Sequence, residues 1–190
     1  LSSTVTNYAL PRDLVVDLSP GNFRGAWACS QNTNTIYKVT AAGAEGTAFT
    51  GPALNQPFSV AVDPSDGALW VASNQSHTVV KYSSSGAWIV TYAPAPGMTF
   101  PWAVALDPRD GKLWVADAFS VRKINPDGIW EDVPPISGFS APKHMAVDPS
   151  DGSVWISDQG NNRVVKLRED GVQIGVLDTA DALAFSGPEG

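Results

Sequence analysis

The chain has 190 residues, 43% of them hydrophobic and 16% charged, with 12 Lys plus Arg against 19 Asp plus Glu for a net charge of −7. That length can bury a full core. The acidic balance argues against nucleic acid, whose phosphates need a basic face, and no apolar run reaches the roughly 20 residues of a membrane span. A single cysteine, Cys29, excludes an intramolecular disulfide framework and a four-Cys zinc site.

The segment 1–10 precedes a repeat that fills the rest of the chain. Tryptophan recurs at Trp27, Trp70, Trp114 and Trp155, at spacings of 43, 44 and 41 residues. A proline stands ahead of each (Pro11, Pro57, Pro101, Pro142) and a glycine follows each (Gly43, Gly86, Gly128, Gly171). The units are 11–56, 57–100, 101–141 and 142–187. Each begins with a short apolar run, seen as Phe58-Ser-Val-Ala-Val-Asp63, Trp102-Ala-Val-Ala-Leu-Asp107 and Lys143-His-Met-Ala-Val-Asp148. Asp-Pro-x-Asp-Gly then predicts a hairpin turn, with Pro presetting φ and Gly taking the positive φ that ends it. A second run carries the tryptophan, a third carries a lysine (Lys38, Lys81, Lys123, Lys166), and a weaker fourth follows the glycine.

Runs this short, β-branched or aromatic and bounded by turn residues, are strands. Four of them per unit, with no helical periodicity, predict an all-β fold, a β-propeller of four-stranded antiparallel blades with four blades visible. The first unit is the irregular one: Asp17-Leu-Ser-Pro-Gly-Asn-Phe-Arg-Gly25 replaces the hairpin. Segment 1–10 is expected to be an outer or closing strand, and 188–190 to begin a further blade.

The string Asp148-Pro-Ser-Asp-Gly-Ser-Val-Trp-Ile-Ser-Asp-Gln-Gly-Asn-Asn-Arg-Val-Val-Lys-Leu167 resembles an NHL repeat. That pattern runs Pro, Gly-Ile-Ala-Val-Asp, a Gly turn, Val-Tyr-Val-Ala-Asp and Gly-Asn-x-Arg-Val. The resemblance implies a ring of five to seven blades, of which the four units would be a part; a complete four-bladed ring is the alternative. It also implies that Asp117 and Asp158 brace the loop that follows them.

What recurs in every unit is expected to be architecture. Asp63, Asp107 and Asp148 are therefore read as turn residues rather than calcium ligands. Trp27, Trp70, Trp114 and Trp155 are read as packing between blades, each indole N–H with a polar partner. What differs between units marks the candidate site. The residues after each marker proline (Arg12 and Asp13, Phe58, Trp102, Lys143 and His144) and the loops between second and third strands (Asn74, His77, Phe119, Asn161) are expected to share one rim. A mixed cationic, aromatic and polar rim suits a protein, peptide or glycan. Two histidines in different units cannot make a three-His metal site, and neither a Gly-x-Ser-x-Gly elbow nor a phosphate loop is present.

The expectation is a non-catalytic binding or scaffold module with no cofactor and no metal. A metal-dependent lactonase- or lyase-like propeller and a structural subunit self-associating through exposed blade edges are the alternatives. Asn74-Gln-Ser76 matches an N-glycosylation sequon. An acidic, lysine-poor composition without an initiator Met favours an extracellular or periplasmic setting.

Overall fold

The computed structural model describes residues 10–19, 25–42, 45–93, 95–96, 98–131 and 135–178. The expected opening strand, apart from Leu10, and the expected further blade at 188–190 lie outside these residues. The described residues form four antiparallel sheets, each with its four strands in sequence order. The first blade is β1 (Pro11–Asp17), β2 (Gly25–Ser30), β3 (Thr35–Thr40) and β4 (Glu45–Phe49). The second is β5 (Pro57–Val62), β6 (Leu69–Ser73), β7 (Thr78–Tyr82) and β8 (Trp88–Tyr92). The third is β9 (Ala103–Leu106), β10 (Leu113–Ala116), β11 (Ser120–Ile124) and β12 (Ile136–Ser137). The fourth is β13 (Pro142–Val147), β14 (Val154–Asp158), β15 (Arg163–Leu167) and β16 (Gln173–Asp178). The chain divides into two compact units, 1–94 and 95–190, of two blades each.

The Asp-Pro-x-Asp-Gly turn is built the same way three times. The amides of Gly67, Gly111 and Gly152 donate to the carbonyls of Asp63, Asp107 and Asp148, with φ of +74°, +73° and +71° at the glycines. Each first aspartate accepts the amide two residues on, from Ser65, Arg109 and Ser150. Each second one, Asp66, Asp110 and Asp151, accepts from Ala68, Lys112 and Ser153. All six carboxylates are thus occupied in Asx turns, which fix the register of the strands on either side. At Gly152 the need is also steric, because a Cβ there would run into the Arg109 guanidinium.

Central strands buried on both faces read as continuous apolar runs, and β6 and β10 are buried along their whole length. In the first unit Trp27 and Ile36 of the first blade pack with Val60, Leu69, Val71 and Tyr82 of the second. In the second unit Trp114 and Val121 of the third blade pack with Val154, Ile156, Val165 and Leu167 of the fourth. A lysine lies over each tryptophan ring: Lys38 at 4.9 Å, Lys81 at 4.5 Å, Lys123 at 4.2 Å and Lys166 at 5.0 Å from the centroid. Such a contact screens the charge with the π face while the lysine stem fills the interface.

The tryptophan expectation needs two corrections. Within its unit Trp155 does not pack between blades: it is 40% exposed, while Trp27, Trp70 and Trp114 are each 1% exposed. The ring faces out from the fourth blade on the side that carries Leu177, also 44% exposed, and no blade within its unit covers that side. Nor does each indole have a polar partner. Trp27 Nε1 donates to Asp17 Oδ2 at 3.2 Å, whereas Trp70 Nε1 and Trp114 Nε1 are buried without a partner among the described residues. Asp17 takes this role in the irregular first hairpin; in the third blade the matching Asp107 is held by Arg109 instead.

Candidate functional site

Strand pairing puts three features at the same end of each blade: the start of the first strand, the end of the second and the start of the third. Pro57 pairs with Ser73 and Ser73 with Thr78; likewise Pro142 pairs with Asp158 and Asp158 with Arg163. At this end the first strand is irregular. Pro11 and Asp13 face Ser30 and Cys29, so Arg12 is an extra residue in the ladder. Phe58 and Lys143 are extra in the same way. In the third blade Ala116 pairs with Ala103 and also accepts the Trp102 amide at 2.8 Å. A bulge of this kind redirects a side chain out of the sheet alternation.

The backbone is tightest at the same end. Leu10, Gln56 and Ala141, each just before a marker proline, have φ of +57°, +50° and +49°. Asn34, His77 and Asn162, each just before a third strand, have φ of +53°, +57° and +51°. Non-glycine residues in this region carry strain that the surrounding structure must hold. The third blade, two residues shorter in its loop, has neither feature.

In the first unit the bulged side chains meet. The Arg12 guanidinium lies over the Phe58 ring, its Cζ 4.5 Å from the centroid. Arg12 Nε donates to Gln31 Oε1, and Gln31 Nε2 donates to Gln56 Oε1 at 3.0 Å. Asp13 is a strut between blades: its Oδ2 accepts from Ser59 Oγ at 2.7 Å and from the Val60 amide at 3.0 Å, and its Oδ1 from the Leu14 amide at 2.9 Å. His77 closes the loop between β6 and β7, its amide donating to the Asn74 carbonyl at 3.1 Å.

The second unit repeats the pairing with the order reversed. Lys143 of the fourth blade places Nζ 3.6 Å from the centroid of Trp102 of the third. The His144 amide donates to Ser157 Oγ at 3.0 Å. Phe119 is 68% exposed on its loop. Asp117 Oδ1 accepts the Phe119 and Ser120 amides at 2.8 and 2.6 Å. Asp158 accepts the Ser140 amide, Asn161 Nδ2 and Arg163 Nε, at 2.7 to 2.8 Å. Asn161 also donates to the Gly138 carbonyl, so its amide is spent on the loop.

Asn74 departs from expectation on both counts. It is 4% exposed, so its amide nitrogen is not presented for glycosylation or for a rim ligand. Conversely, Gln56 and Asn34 belong to the rim network without having been singled out; Asn34 Oδ1 accepts the Gln56 amide at 2.7 Å. Gln56 stands just before a marker proline, and the rim pattern counted only the residues after it.

The opposite end of the second unit holds a cleft of about 690 Å³ between the third and fourth blades. Its charges are paired among themselves. Lys112 Nζ meets Glu131 at 2.8 Å, and Arg168 pairs with Asp170. Arg109 bridges Asp107 at 3.0 Å and Glu169 at 2.8 Å, and Lys123 donates to the Glu169 carbonyl. Burial pushes the Lys123 ammonium pKa down. These contacts join the third blade to the fourth.

No family model matches the sequence, and no curated protein matches it. Among solved structures, virginiamycin B lyase from Staphylococcus aureus superposes with a TM-score of 0.74 at 19% identity, over 97% of this chain and 60% of that one. A structure of the nidogen/laminin complex gives 0.78 at 15% identity, over 91% and 65%. The WD40 repeats of RRP9 give 0.73 at 14% identity, over 90% and 54%. These likenesses establish the β-propeller fold. The chain spans about 60% of the length of the lyase it matches.

Proposed function

We propose that this chain is part of an NHL-type propeller and that it works as a non-catalytic recognition module, binding a protein, peptide or glycan through the bulged rim. The observation that carries the reading is the pair of cation-over-aromatic contacts, Arg12 on Phe58 and Lys143 on Trp102, in which bulges turn Arg12, Phe58 and Lys143 out of their ladders and Trp102 stands just before the start of its strand. Aromatic and arginine side chains held in place by their neighbours are the groups that dominate recognition surfaces. The NHL assignment is supported by the fourth-unit motif, whose Asp158 and Arg163 bind each other at 2.7 Å. An extracellular or periplasmic setting is part of the proposal, supported by the acidic composition; secretion of a tagged full-length protein tests it.

The experiment is a peptide and glycan array probed with the purified chain and with Trp102→Ala. Binding by the parent that falls at least tenfold in the variant is the expected result. Metal found by elemental analysis together with turnover in a lactone-hydrolysis and lyase screen would replace this reading with an enzymatic one.

A second reading, assembly, has its own support. Leu14 and Val16 on one face of the first blade are 58% and 56% exposed. The matching Val60 and Val62 of the second blade are covered by the first. Within its own unit the Trp155 side of the fourth blade is not covered by another blade, and exposed apolar faces of this kind are sites of association.

A further inference from the structure

We propose that Arg12 is a carboxylate-binding site, so that the ligand of the rim carries a carboxylate seated on the outer edge of this guanidinium; the proposal rests on the recognition reading above and names the chemistry of its ligand. Three constraints define the group. The Phe58 ring supports one face of the guanidinium at 4.5 Å. Gln31 Oε1 accepts the Arg12 Nε–H hydrogen bond, and Gln31 Nε2 in turn donates to Gln56. The bulge at Arg12 fixes where the side chain leaves the strand. What remains is the Nη1–Nη2 edge, which makes no hydrogen bond or ion pair with the described residues, and Arg12 is exposed.

The nearby carboxylate does not compete for that edge. Asp13 is committed to Ser59, Val60 and Leu14 through the contacts given above. Most other cations are engaged by partners: Arg109, Lys112, Arg163, Lys166 and Arg168 are in ion pairs, and Lys123 is buried and donates to the Glu169 carbonyl. A planar guanidinium with fixed face and fixed Nε offers two parallel N–H donors in the geometry of a carboxylate, and a lysine cannot reproduce that fork. In a protein of net charge −7, long-range attraction does not bring an anion to this place. The selectivity lies in the short-range fork, which salt weakens without abolishing.

The carboxylate could be a peptide C-terminus or an acidic side chain, and the probes separate these. The Arg12 Nε–H resonance, assigned from its absence in Arg12→Gln, is followed by NMR during titration with two acetylated tripeptides, and the backbone amide resonances of the same rim report binding in the parent and in every variant. One has a free C-terminus and neutral side chains; the other has a C-terminal amide and a central glutamate. Their fully amidated analogues are the controls. A saturable shift with either carboxylate peptide, none with the controls, and at least tenfold weaker binding by both Arg12→Lys and Phe58→Ala is expected. Which peptide binds tells which carboxylate is read. Equal response to the amidated controls, no response up to the solubility limit, or full binding by Arg12→Lys overturns the proposal. A ligand found on the array that binds Arg12→Gln as well as the parent would leave the recognition reading standing and remove this one.

Discussion

Trp27, Trp114 and Trp155 occupy the same place in three blades and have different surroundings. Trp27 and Trp114 are closed off by the next blade, and Trp27 also has Asp17 for its indole N–H. Trp114 is buried with that group unsatisfied, which lowers the net gain from burying it but leaves the loss of volume on truncation. Trp114→Ala should therefore cost about 3–5 kcal/mol, the range for buried aromatic truncations, and Trp155→Ala roughly half as much or less. Urea unfolding midpoints of the two variants check this, and equal losses would contradict the exposure of Trp155. The sequence shows these four tryptophans as equivalent. Their difference is invisible there because burial depends on what packs against a blade, and the repeat repeats only the blade itself.

At the scale of strands and turns, hairpin geometry was legible and the bulges were half so. The Asp-Pro-x-Asp-Gly string prescribes its own turn, since every group in it has a local partner. The positions after the marker prolines stood out by their variability, yet nothing local announces that an extra residue there turns the side chain out or that Arg12 meets Phe58 from another blade. The turns also set the response to acid. In Asp148, bonds from Ser150 hold the carboxyl below its ordinary 3.8, and bonds from Ser153 do the same for Asp151. Burial pushes Asp107 upward, but the bonds and charge of Arg109 outweigh it and its pKa is lowered. Groups with depressed folded values contribute stability that is whole above the unfolded pKa and is lost as pH falls through the folded one. The unfolding midpoint should hold between pH 5 and neutrality, about the range where such carboxylates stay ionised, and fall below 3.8. At the other extreme, burial raises Cys29 from 9.0 and Tyr82 from 10.0, both to about 12. Both groups favour the folded state while protonated, so a second decline is expected as pH rises from 9.0 toward 12. A melting series across pH checks both limbs.

At the scale of the molecule, the repeat length made the propeller fold readable and left its surroundings unreadable. Leu14, Val16, Trp155 and Leu177 look in sequence like any other blade residues, and only the packed blades show that each is exposed and uncovered within its own unit. Light scattering of the purified chain should show a particle mass that rises with concentration, and Val16→Lys should return it toward 20.0 kDa. A parent that stays at that mass at all concentrations would remove the assembly reading. The bulges carry a different lesson. Because Arg12, Phe58 and Lys143 leave the ladder as surplus residues, their identity is uncoupled from the alternation that builds the core. Those positions form an exchangeable cassette: a library randomised there should vary in specificity while its members keep the fold, which makes this chain a scaffold for selecting new binders.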